Sequence, residues 1–224
     1  MTSPATAEQV AQYLRDNPGF FEANAELLAS ITVPHPHGGR AVSLVERQVD
    51  LLRDKNKALE MRLAELLRIG QENDAIAGKL QHWTRELLRT RDVQALPDRV
   101  VAGMTEDFSV PQVALRIWGV APAHAGLPVA AEVEPEVHTL ADSVRQPYCG
   151  PNAEFKAATW LTGGGAQTRS IALLSMRVGA APEAFGLLVL GSPDPARFQA
   201  GMGTAFLERI AEIASAALSR LLAD

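Results

Sequence analysis

VSLVERQVDLLRDKNKALEMRLAELLRIGQENDAIAGKL, residues 42–80, carries an unbroken heptad. Val42, Val45, Val49, Leu52, Asn56, Leu59, Leu63, Leu66, Gly70, Asn73, Ala77 and Leu80 recur at alternating spacings of 3 and 4. That period holds one face of a helix on a straight seam toward a second helix. The pattern predicts one helix over residues 43–91, roughly 70 Å long at 1.5 Å per residue. The expected dimer interface is Val45, Val49, Leu52, Asn56, Leu59, Leu63 and Leu66. Asn56 at an a position favours two strands and one register, at a cost in stability. Lys55 and Glu60 stand where they would pair across a parallel dimer, a contact worth little by itself.

Around this helix the chain falls into three stretches: 1–40 with short helices, 41–91 with the dimerising helix, and 92–224 with a domain of ordinary size. Thr6 is an expected N-cap for a helix over 7–16, and Asn17-Pro18-Gly19 stops it. A second short helix is expected over 21–30. Pro34-His35-Pro36-His37-Gly38-Gly39 then forces a turn. Ser43, with Glu46 three residues on, reads as a capping box for the long helix. From Leu66 onward Leu67, Ile69, Ile76 and Trp83 widen the apolar stripe, as packing into a bundle requires.

Residues 92–224 read as α+β. Helices are expected over 96–108, 139–146 and 202–222, and strands over 113–120, 157–161, 170–178 and 184–191. The last helix is expected to turn Phe206, Ile210, Ile213, Ala217 and Leu221 inward. The stretch 121–138, rich in Ala, Pro and Glu, reads as a loop, and Gly163-Gly164-Gly165 as a turn.

Composition narrows the function. The net charge of −5 divides into −3 over 1–39, +2 over 40–92 and −4 over 93–224. No segment has the basic stripe of a nucleic-acid binder, and Arg85, Arg89 and Arg91 suit a solvated helix end. No run of about 20 apolar residues exists. The first residues lack a basic region and an apolar core, and Cys149 stands alone, so a reducing cytoplasm is the expected location. His35 and His37 lack a third ligand nearby, so no metal site is expected. The three glycines at 163–165 lack the Lys-Ser/Thr ending of a phosphate loop. No nucleophile elbow, carboxylate pair or zinc-protease motif occurs, so catalytic residues are expected to be none, and no motif names a cofactor.

Gly186, Leu188, Leu190, Ser192, Asp194, Phe198 and Leu207 form a strand-to-helix phrase that resembles the end of GAF domains. The whole chain also resembles a bacterial family of domain-of-unknown-function proteins with an N-terminal helical arm and a C-terminal GAF-like domain. The carrying residues are Tyr13-Leu14, Asn17-Pro18-x-Phe20-Phe21, Pro34-His35, Val42-Ser43-Leu44-x-Glu46-Arg47-Gln48, Leu52-Arg53-x-x-Asn56, Asn73 and Tyr148-Cys149-Gly150. The resemblance implies an antiparallel sheet flanked by helices and no established activity. It further implies a small-molecule site under the segment 121–168, with Tyr148, Cys149, Phe155 and Trp160 as candidate ligand-binding residues. GAF photoreceptors that attach a bilin place a His beside the cysteine, whereas Cys149 is followed by Gly150. GAF-like folds that reduce free methionine sulfoxide use several cysteines, and this chain has one.

The expected function is a dimeric sensory or regulatory adaptor, not an enzyme. It would take an unidentified small molecule and relay it through the coil to a protein partner. The alternative is a scaffolding dimerisation protein with no ligand.

Overall fold

The computed structural model describes residues 6–34, 41–201 and 203–223; the side chains of 29, 30, 32–34 and 41–46 lie outside that description. His35, His37 and the proposed Ser43–Glu46 capping box therefore fall outside it too. The chain divides into two compact units, residues 1–71 and 72–224.

In the first unit, α1 spans Ala7–Asp16. Its capping box is complete: the Gln9 amide donates to Thr6 Oγ1 at 3.3 Å, and the Thr6 amide donates to Gln9 Oε1 at 2.9 Å. The expected second helix is two, α2 (Phe20–Ala23) and α3 (Ala25–Ser30). The break falls at Asn24, whose side-chain amide donates to the Phe20 carbonyl at 2.8 Å. That bond competes with the helical ladder. Tyr13, Phe20 and Phe21 stack edge to face, with centroids 5.8 and 5.3 Å apart. Strands β1 (Thr32–Pro34) and β2 (Ala41–Ser43) pair antiparallel, Val33 opposite Val42. Three-residue strands leave too little alternation to be read from sequence.

Helix α4 spans Leu44–Arg89. Over residues 49–70 its heptad residues are open to solvent in the single chain. Leu52 is 64%, Leu59 61%, Leu63 58% and Leu66 66% exposed. Arg68 pairs with Glu65 at 2.7 Å on the flank. Asn56 Nδ2 donates to Glu60 Oε1, one turn along, at 3.3 Å.

In the second unit the end of α4 joins a core. Leu80, Trp83 and Leu87 are buried with Val100 and Met104 of α5 (Leu96–Glu106) and Ile210, Ala214 and Leu218 of α7 (Ala205–Leu218). These helices cover one face of a four-stranded antiparallel sheet. It consists of β3 (Gln112–Ile117), β4 (Tyr148–Pro151), β5 (Ser170–Met176) and β6 (Gly186–Ser192), in the order β3-β6-β5-β4. The other face carries α6 (Pro135–Ser143) and a 3-10 turn over Lys156–Trp160. Val137, Ala141, Ala157, Ala158 and Leu161 pack there against Ile171, Leu173, Leu187 and Val189. Strands β5 and β6 are central and covered on both faces, which is why SIALLSM and GLLVLGS are nearly continuous apolar runs.

The α+β class, the long helix and the helix-flanked antiparallel sheet are as expected. Several details differ. Residues 157–160 of the expected strand 157–161 lie in the 3-10 turn Lys156–Trp160, which lets consecutive Ala157 and Ala158 both pack on one face of the sheet. Strictly alternating strand residues would bury only every second one against a single face. Of the residues expected on the inward face of the last helix, Ile210 and Leu221 are buried and Ile213 and Ala217 pack partly buried against the core, while Ala214, Ser215 and Leu218 extend the buried face beyond them. Gly186 serves close approach: a Cβ there would lie 2.8 Å from the Arg116 carbonyl and 2.5 Å from Met176 Cε.

Candidate functional site

The four candidate residues follow from strand β4 and the turn after it. Tyr148 and Cys149 are adjacent on β4, so their side chains leave opposite faces of the sheet. Tyr148 packs with the cluster under α6, whereas Cys149 belongs to the cluster under α5 and α7. Tyr148 and Phe155 meet edge to face, centroids 5.2 Å apart. The Tyr148 ring folds over Gly150, where a Cβ would come within 2.5 Å of its hydroxyl, and the hydroxyl donates to the Pro151 carbonyl at 3.3 Å. This explains Tyr-Cys-Gly as an edge-strand device: an aromatic covers a glycine.

Trp160 stands elsewhere. The Arg116 guanidinium of β3 lies 5.7 Å from its ring centroid, a cation–π distance. Strands β3 and β4 are the two edges of the sheet, about 14 Å apart at 4.8 Å per strand. The structure thus brings Tyr148 and Phe155 together, puts Trp160 at the other edge and turns Cys149 to the other face. Between the edges, Ala157, Ala158 and Leu161 occupy the sheet surface. Cys149 is 9% exposed, and burial pushes its thiol pKa up, away from the reactive thiolate.

A cleft of about 600 Å3 opens at another place, between the end of β5, the α6–β4 turn and α7. Arg177 forms its floor. Its guanidinium donates to the carbonyls of Ala141 (2.8 Å), Asp142 (3.1 Å), Val144 (3.2 Å) and Pro182, capping the end of α6. The Arg177 amide donates to Ser215 Oγ on α7 at 3.2 Å, and Ser175 Oγ donates to the Ala141 carbonyl at 2.7 Å. Burial and the neighbouring Arg145 guanidinium lower the Arg177 pKa, while Asp142 opposes them. Sequence reading missed this cleft. Its only local signal is a charged residue closing an otherwise apolar strand, in Ser175-Met176-Arg177.

Among the described residues, no group of three or more His, Cys, Asp or Glu could hold a metal ion, and no helix is long and apolar enough to cross a membrane.

A family model described as "protein of unknown function, DUF484" matches residues 2–223. The uncharacterized protein YigA of Salmonella typhimurium is 27% identical over 210 residues, covering 90% of this chain and 86% of that protein. YigA of Escherichia coli is 25% identical over 208 residues, with the same coverage. Among solved structures, the free methionine-R-sulfoxide reductase of Neisseria meningitidis in complex with its substrate aligns with a TM-score of 0.46 and 15% identity, covering 64% of this chain and 88% of that one. The GAF domain of an Acinetobacter phosphoenolpyruvate-protein phosphotransferase aligns with a TM-score of 0.46 and 13% identity, covering 64% and 92%.

Proposed function

We propose that this chain, which belongs to the DUF484 family of proteins of unknown function, is a homodimeric regulatory module. Two copies join along α4, the domain of residues 72–224 takes a small ligand, and the output is contact with a protein partner. One observation carries the reading. Val49, Leu52, Leu59, Leu63 and Leu66 hold heptad spacing along one helix and are 39–66% exposed in the single chain. Exposed large apolar residues on a regular seam are what a matching helix covers, and a second copy of the same helix supplies a matching seam. Asn56 sits among them and fixes the register when two copies meet in parallel.

The test is a cross-link. Asn56→Cys, made with Cys149→Ala, places one thiol on each helix at the same height of a parallel, in-register seam. Oxidation should give a covalent dimer, since a disulfide needs Cα atoms about 4.4–6.8 Å apart. A chain that stays monomeric under oxidation contradicts the arrangement.

A second reading is a scaffolding dimer with no ligand. It is favoured by the apolar filling between Tyr148 and Trp160, where the ligand-binding reading placed a cavity.

A further inference from the structure

The cleft beside α7 is lined by four charged side chains, Arg145, Arg177, Glu208 and Glu212. Arg177 is half-buried on its floor, pinned by four backbone carbonyls, and the Asp142 carboxylate nearby offsets its charge only in part, since the Arg177 pKa is still lowered. Arg145 stands next to it on the α6–β4 turn, so like charges are held together. On the opposite wall Glu208 and Glu212 lie one turn apart on α7, on the same side of the helix. Among the described residues no ion pair involves any of the four. Glu208 accepts only the Thr204 hydroxyl, at 2.7 Å. Two cations thus face two anions across about 600 Å3 of open space.

An occupant with charge of one sign would suit one wall and be repelled by the other. A bare metal cation would meet two carboxylates and two guanidiniums, and no three-ligand cluster exists among the described residues. A molecule with both signs satisfies each wall at once. Guanidinium forks match a carboxylate in plane, and paired carboxylates accept an ammonium.

We infer that this cleft is a binding site for a small zwitterion of the α-amino-acid class. Its carboxylate lies at Arg145 and Arg177 and its ammonium at Glu208 and Glu212. The inference rests on the regulatory reading and names its ligand class. It also gives that reading a route, because the ligand would touch α7, whose inner face packs with α5.

The experiment is isothermal titration calorimetry of the full chain against each of the twenty standard amino acids, with succinate and putrescine as single-sign controls. At least one amino acid should bind saturably, one per chain. Succinate and putrescine should bind about tenfold more weakly or not at all. Arg145→Ala and Glu212→Gln, both at exposed positions, should each weaken binding about tenfold or more. Light scattering on the same samples reads the dimer separately, so loss of binding with an intact dimer overturns the cleft alone. Binding by none of the amino acids, or binding that both variants leave unchanged, overturns the inference.

Discussion

Trp83 shows how one residue position depends on another. Its indole is 1% exposed and lies against Gly103 of α5, where any Cβ would run into the ring. Phe108 meets it edge to face at 6.1 Å. Gly103→Ala gains helix propensity, about 1 kcal/mol, yet overpacks the core at a cost of about 1–3 kcal/mol. Net destabilisation is expected as a lower urea midpoint with an unchanged slope; an unchanged or higher midpoint would show that Trp83 moves freely. Cys149 makes a second case. Its thiol pKa is raised by burial above the ordinary value of 9.0, so folding favours the protonated form. Its contribution to stability is intact below the unfolded pKa and is lost as pH rises through the folded value. Thiol labelling at pH 8 should therefore be slow in the native chain and fast in denaturant. Labelling at equal rates would place Cys149 on the surface.

At the scale of elements, the long helix was legible because its pattern repeats over residues 42–80, and a period repeated that often is hard to mistake. Strands β5 and β6 were legible as apolar runs bounded by turns. Strand β4 was not, because YCGP has four residues, a glycine and a proline, and its pairing with β5 is a tertiary fact. The candidate residues show the same limit. Tyr148, Cys149, Phe155 and Trp160 are close in sequence, but strand alternation and the 3-10 turn send them to different places. Arg145 and Glu212 are distant in sequence and meet at one cleft only through the fold. The prediction that belongs here concerns Asn56. Asn56→Leu should raise the melting temperature of the dimer and broaden its oligomeric distribution, since a polar a residue exchanges stability for register. Calorimetry with analytical ultracentrifugation reads both. A lower melting temperature would mean that the bond from Asn56 to Glu60 within one helix is what matters.

At the scale of the whole molecule, the account stands on association through α4. Leu59→Asp with Leu63→Asp would bury two charges per helix in a closed seam. An unpaired buried charge costs several kcal/mol, so the variant should run as a monomer with its far-UV circular dichroism largely retained. A variant that remains a dimer would move the interface off this seam. The most direct measurement is the mass of the unaltered chain by multi-angle light scattering. One chain weighs 24.0 kDa, so two copies weigh twice that, 48.0 kDa. The expected result is 48.0 kDa, independent of concentration across the micromolar range. A mass of 24.0 kDa throughout that range would contradict the account.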